Sequence, residues 1–321
     1  MKILRWLMVV LAGAAACRAD VQLFEFPGGL RAPYWAAKPL EAGNAEAEYA
    51  VIFVHGLSRK PRDESGTVKA RVKNDPRSKK VVYALPAFFS EKSCPEQLRG
   101  KVAVWDVHEH DWRRGGLSCG EAGISSYAVI DRMFELFSDR RLFPNMKHIL
   151  LCGFSAGGQV VNRYVAVGRG ARREGIECSF AVGGPSTYLY LDGRRPTGGR
   201  EFREPEPEIP GWDSWHFGLR DRNEYSKDLS RAEIMANLTS RPTLFLCGEA
   251  DVDGRGLEKT PGAMAQGENR LQRFNYYRNY VALFPEWAKR CRFVSVPGAG
   301  HKWSRVCNTP EFIRLVFGSR D

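Results

Sequence analysis

Lys147-His-Ile-Leu-Leu-Cys-Gly-Phe-Ser-Ala-Gly-Gly-Gln-Val-Val-Asn-Arg-Tyr-Val-Ala-Val167 is the stretch that decides how the rest of this chain folds. Residues 149–152 form an apolar run of the length expected for a buried strand. Gly153-Phe-Ser-Ala-Gly157 follows, and then a segment with helical character up to Gly168. Strand, tight turn with a serine at its tip, then helix is the context in which a serine is presented as a nucleophile. The serine must sit in a strained backbone conformation, and side chains at 153 or 157 would collide with the neighbouring strand or helix.

The five-residue pattern alone has little force. With 32 glycines in 321 residues, roughly 0.2 chance matches to Gly-x-Ser-x-Gly are expected. A second match does occur, Gly116-Leu-Ser-Cys-Gly120, but it follows the polar, turn-like Asp111-Trp-Arg-Arg-Gly115 with no apolar strand before it. Ser118 therefore reads as a loop serine and Ser155 as the candidate.

Outward from Ser155, further strand-like runs lie at 22–26, 49–54, 80–85, 102–105, 180–182, 243–247 and 292–296. Their continuous apolar character suits a sheet covered on both faces. Between them, Tyr127, Ile130, Phe134 and Phe137 recur at helical intervals, and 266–290 reads as a helix interrupted by Pro285. Strands alternating with helices predict an α/β fold, a doubly wound and mostly parallel sheet in one domain covering residues 20–321. The stretch 185–241 breaks the alternation: it is rich in Pro, Gly, Trp and charge. A connection this long is usually functional or disordered; its aromatic content argues against disorder, and it reads as a cap or lid inserted over the carboxyl edge of the sheet.

The N-terminus has a basic start, an apolar stretch over 6–16 and then small residues, the pattern of a secretory signal peptide over residues 1–19. The apolar stretch is too short to favour a spanning helix, so no integral membrane segment is expected in the mature chain. Lipid modification at Cys17 is disfavoured because Ala14 stands where such signals usually carry leucine. Export to the periplasm or medium follows as the expectation. Removing Lys2, Arg5 and Arg18 leaves 45 basic against 37 acidic residues, a formal +8. The basic run over 69–80 lacks interleaved aromatics, which argues against a nucleic-acid partner. Seven cysteines remain in a compartment that permits disulfides, and Cys94 with Cys119 and Cys291 with Cys307 are the expected bridges.

A serine nucleophile needs a base, an orienting acid and an oxyanion hole, with the order Ser, acid, His in this kind of fold. Leu244-Phe-Leu-Cys-Gly-Glu-Ala-Asp251 is a strand followed by a turn that ends in Asp251, with Asp253 and Glu249 as rivals. Phe293-Val-Ser-Val-Pro-Gly-Ala-Gly-His301 is the last strand followed by a glycine-rich loop carrying His301. His55-Gly-Leu57 follows its own strand as an oxyanion loop would, so the backbone N–H groups of Leu57 and Ala156 are the expected donors. Trp212, Trp215 and Phe217 are candidates for an apolar substrate pocket, with a small core for the cap itself as the alternative. His108 and His110 would share a face of an extended backbone but read as polar side chains at the surface or a pocket rim rather than metal ligands, and Arg194-Arg195 reads as a solvated pair.

Through Val54-His-Gly-Leu57, Gly153-Phe-Ser-Ala-Gly157, Gly248-Glu-Ala-Asp251 and Gly298-Ala-Gly-His301, the chain resembles the α/β-hydrolase-fold serine hydrolases. Trp215-His-Phe-Gly-Leu219 and Ala265-Gln-Gly-Glu-Asn-Arg-Leu271 are also similar to poorly characterised bacterial and fungal hydrolases. The resemblance implies a Ser155-His301-Asp251 triad, an acyl-enzyme mechanism, no cofactor, and a small-molecule or polymeric ester as substrate. Serine rather than aspartate at 155 disfavours the dehalogenase and epoxide-hydrolase branches. Peptidase, thioesterase or acyltransferase chemistry on the same triad is the alternative; a non-catalytic binding protein would be expected to carry a broken triad.

Overall fold

The computed structural model describes residues 20–59, 61–171 and 174–318. The signal-peptide segment 1–19, with Cys17, lies outside the described residues. Ten strands are present among them: β1 Asp20–Phe26, β2 Leu30–Ala36, β3 Tyr49–Val54, β4 Val81–Pro86, β5 His148–Phe154, β6 Glu177–Gly183, β7 Arg195–Gly198, β8 Glu201–Arg203, β9 Thr243–Gly248 and β10 Cys291–Val296. The helices are α1 Pro61–Val72, α2 Ser126–Ser138, α3 Ala156–Val167, α4 Arg231–Ser240, α5 Pro261–Met264, α6 Arg270–Val281, α7 Pro285–Ala288, α8 Trp303–Val306 and α9 Pro310–Leu315.

Eight strands make one sheet in the order β1-β2-β4-β3-β5-β6-β9-β10, and β7 with β8 forms a separate hairpin. The pairs β1–β2 and β2–β4 are antiparallel; every pair from β4 to β10 is parallel. The doubly wound, mostly parallel sheet expected from the sequence is therefore the observed architecture. Side chains alternate across it. Ala50, Ile52 and Val54 of β3, with Ile149 and Leu151 of β5, join the core that also holds Ile130 and Phe134 of α2 and Tyr277 of α6. Val51 and Phe53, with Leu150 and Cys152, face a second core shared with Val68 of α1 and Phe312 of α9.

The ladder register decides where the functional loops emerge. Val54 pairs with Gly153, Phe154 with Gly183, Gly183 with Leu246, and Gly248 with Val296. The loops after β3, β5, β9 and β10 thus leave from one carboxyl edge, where ligand sites of open α/β sheets form.

Four expectations are corrected. Residues 102–105 form no strand: Ala103 and Trp105 donate single backbone bonds to Arg31 and Phe89, and no ladder develops. A strand not anticipated, β2, fills that flank of the sheet. It carries Pro33, which weakened its signal; Pro33 stands opposite Leu23 within the seven-residue ladder to β1, but its carbonyl accepts from the Ala87 N–H on the other side, so the missing N–H faces the side where β2 meets β4 over only residues 34–36. The stretch 185–241 is divided, since Tyr188 to Leu191 are buried in the main core and Leu238 of α4 packs there too; the intervening 192–229 carries the separate β7–β8 hairpin and sends Trp215 and Tyr225 into the same core. Finally, none of the seven described cysteines is joined in a disulfide. Cys291 packs toward the α6 face of the sheet while Cys307 lies in the core of the opposite face, and Cys94 is packed with Ala87 and Phe89. The expected bridges 94–119 and 291–307 are absent from the structure.

Candidate functional site

Ser155 stands between β5 and α3 with φ 58 and ψ −114, a region that costs an L-residue about 1–3 kcal/mol and is tolerated where the surroundings enforce it. The enforcement is visible. A Cβ at Gly157 would lie 2.0 Å from the Val54 carbonyl oxygen, and one at Gly153 would lie 2.6 Å from the Gly157 backbone. The Ser155 N–H donates to the Gly183 carbonyl at 2.9 Å, and the Ser155 carbonyl accepts from Gln159 in the first turn of α3. Both glycines of the motif are required by close backbone approach.

His301 arrives on the loop after β10. Its Nε2 is 3.0 Å from Ser155 Oγ and its Nδ1 is 2.6 Å from Asp251 Oδ2. The imidazole stacks on Phe154, with ring centroids 4.5 Å apart, and Phe154 in turn packs on Trp303. Asp251 is fully enclosed, and its other oxygen, Oδ1, lies 3.3 Å from Nη1 of the equally buried Arg270. Sequence reasoning missed Arg270: it occurs in the quoted stretch Ala265–Leu271, but nothing there marks it as the partner of an acid nineteen residues earlier. The rivals for the acid face elsewhere. Asp253 pairs with Arg255 and Glu249 accepts from Ser295.

The loop after β3 is organised by His55, which is buried. The Phe88 N–H donates to its Nε2 at 3.1 Å, so Nδ1 carries the proton and donates to the Gly56 carbonyl at 2.8 Å. Burial pushes the imidazole pKa down to about 4, so the ring is neutral. In a trans peptide the N–H points away from the C=O; fixing the Gly56 carbonyl therefore also fixes the Leu57 N–H. Neither the Leu57 nor the Ala156 N–H has a hydrogen-bond partner among the described residues. Ala156 is the first residue of α3, where orphan N–H groups and the helix dipole favour negative charge.

The other candidates are placed as follows. Ser118 is buried in a loop, where its Oγ accepts from the Ile124 N–H. Trp212, Trp215 and Phe217 are only 7, 8 and 8% exposed. The Trp212 indole donates to the Gly193 carbonyl, the Trp215 indole to the Arg114 carbonyl, and Phe217 packs over Gly262. Little of these rings is left for a ligand to touch. Arg195 is likewise buried and donates to the Trp212 and Phe217 carbonyls, unlike the solvated pair expected; Arg194 pairs with Asp192. His110 contacts the Leu117 carbonyl, and among the described residues no group of three His, Cys, Asp or Glu side chains is arranged to hold a metal. A cavity of about 710 Å³ lined by Leu40, Lys69, Tyr83 and Phe143 lies under α1, away from Ser155.

No protein-family model matches the chain, and no curated protein matches it. Solved structures do. A poly(aspartic acid) hydrolase from Sphingomonas sp. KT-1 superposes with a TM-score of 0.62 at 21% identity, covering 94% of this chain and 98% of that one. A poly(3-hydroxybutyrate) depolymerase from Bordetella parapertussis gives 0.61 at 20%, covering 94% and 91%. The chain has the α/β-hydrolase fold. A siderophore hydrolase from Aspergillus nidulans gives 0.50 at 11% identity over 98% of both chains. In this hydrolase fold the loops after β5, β9 and β10 bring Ser155, Asp251 and His301 together, in the chain order expected from the sequence. Among the described residues no helix is long and apolar enough to cross a membrane.

Proposed function

We propose that the protein is a serine hydrolase acting on carboxylic esters. The single observation that carries this reading is the hydrogen-bonded series from Ser155 Oγ through His301 to Asp251, 3.0 and 2.6 Å long, with the serine held at positive φ. His301 Nε2 takes the proton of Ser155 as the oxygen attacks the ester carbonyl, and Asp251 keeps Nδ1 protonated and directed. The tetrahedral oxyanion accepts from the Leu57 and Ala156 N–H groups. His301 then protonates the departing alcohol, and water, activated by the same imidazole, releases the acid. The names of the structural neighbours, hydrolases of polymers and siderophores, support a hydrolytic reading and an ester or polymer as substrate.

The outer segment 192–229 acts as a cap, and residues 1–19 direct export of the chain. Ser155→Ala is expected to abolish hydrolysis of a short acyl ester and labelling by a serine-directed phosphonate. Retention of both in that variant overturns the assignment. A panel of matched ester, amide and thioester substrates separates an esterase from a peptidase or thioesterase on the same residues.

A further inference from the structure

A series of contacts links the loop after β3, on one side of Ser155, to His301 on the other. The His55 ring, which anchors the loop on one side of the serine, packs 4.7 Å from Trp112. Two residues on, Arg114 Nη1 reaches His216 Nδ1 at 3.5 Å, and His216 Nε2 lies 3.6 Å from Glu258 Oε1. The Glu258 N–H donates to Ser186 Oγ at 2.7 Å. Ser186 follows Gly184, whose Cβ position is 3.4 Å from His301, and His301 returns to Ser155. Beneath this wall Arg163, two turns along α3 from the serine, donates to the His216 carbonyl and to Thr187 Oγ1.

The charges of the wall are unequal in what they offer to a ligand. Its acids are engaged with partners on this wall, and Glu258 leaves 17% of its side chain exposed. Asp111 is 2% exposed and shared between Arg113 at 2.8 Å and Arg114 at 3.7 Å, while Glu258 Oε2 is buried. Two of its cations are less fully paired than Arg113. Arg163 donates to carbonyl, amide and hydroxyl oxygens and has no carboxylate within ion-pair distance among the described residues. The Arg114 side chain keeps 29% of its surface. Its Nη2 is spent on the His108 carbonyl, and Nη1 has only the long contact to His216. That imidazole is neutral, its pKa pushed down to about 4 by burial and then by Arg163. The carboxylate partner of this guanidinium, Asp111, meets only Nε, at 3.7 Å, so Nη1 itself has no charged acceptor.

We propose that Arg114 is a specificity-determining residue and that the preferred substrates are esters bearing a carboxylate near the scissile bond. A guanidinium nitrogen with an open donor position matches a planar anion in geometry and charge. The surplus positive field of the wall draws such a substrate in, and salt screens that attraction. The inference rests on the ester-hydrolase reading and narrows it.

The test compares monomethyl succinate with methyl levulinate, which has nearly the same shape but no charge. For the native protein kcat/KM is expected to favour the anionic ester by about tenfold or more at low ionic strength, and the ratio to fall toward unity near ~0.5 M NaCl. Arg114→Gln is expected to bring the low-salt ratio near unity through KM, and Arg114→Lys to restore part of it. Arg99→Gln, which removes the same charge from an exposed side chain, is expected to leave the ratio unchanged. A ratio at or below unity in the native protein overturns the inference, as does an equal fall of the ratio in the Arg99 variant. The native ratio and its salt dependence decide the matter even if the Arg114 variants fail to fold. Calorimetric binding of the two esters to Ser155→Ala protein gives the same comparison without turnover. Absence of hydrolysis with preferential binding of the anion would therefore overturn the esterase reading alone.

Discussion

Arg270 and Asp251 form a buried ion pair, Nη1 to Oδ1 at 3.3 Å, on the side of the carboxylate turned away from His301. The guanidinium also donates to the Arg255 and Gly256 carbonyls. It thus ties the acid to the loop that follows it. Removing one partner of such a pair leaves an uncompensated buried charge, which costs about 3–5 kcal/mol. Arg270→Met is expected to lower unfolding free energy by that order and to reduce kcat by about tenfold or more with a smaller effect on KM. Chemical denaturation and steady-state kinetics check it, and a variant with native stability and kcat would show that the pair orients nothing.

Gly157 and Gly66 make a matched contrast. A methyl at 157 would fall 2.0 Å from a backbone carbonyl, whereas one at 66, in α1, meets nothing within 4 Å. Gly157→Ala is expected to yield unfolded or inactive protein. Gly66→Ala is expected to stabilise by about 1 kcal/mol, because alanine loses less backbone entropy in a helix than glycine does. Thermal melts of the two variants provide the check.

His55 and His216 are both buried, with folded-state pKa values near 4 against an ordinary value of 6.5. Between those limits the unfolded chain binds protons that the folded chain does not, so stability rises with pH and is lost on acidification from about 6.5 toward 4. By pH 5 the loss is on the order of 2 kcal/mol for each histidine. Urea unfolding at pH 7 and pH 5 measures it, and a free energy that stays level or rises at pH 5 contradicts the neutral, buried state of both rings.

Ser118 shares its five-residue spelling with Ser155 but is a buried hydrogen-bond acceptor for Ile124. Ser118→Ala is expected to cost about 1 kcal/mol of stability and to leave phosphonate labelling intact. Loss of labelling on native-like protein would reopen the choice between the two serines.

The elements that were legible are those whose signal is local and periodic. β5, the turn at Ser155 and α3 follow from an apolar run, two glycines and a helical segment closed at Gly168. Asp251 and His301 were legible because each ends a strand of the same parallel sheet, and parallel order sends every such end to one edge. Residues 102–105 mislead, since Ala103 and Trp105 are buried without a partner strand. The aromatic residues of 212–217 suggested a ligand surface, but a residue's type does not say which side of it packs against the core.

The sequence by itself determined the hydrolase fold, the site of the elbow and the order of the three candidate residues, because strand length, glycine placement and helical period are properties of contiguous residues. The tertiary structure alone decided what surrounds them. Arg270 behind Asp251, the His55 ring held by the Phe88 N–H, the absence of disulfides among the seven described cysteines and the contact of Arg114 with His216 depend on segments far apart in the chain. Such pairings are set by how helices and loops settle on the sheet, and no local pattern of residues encodes them.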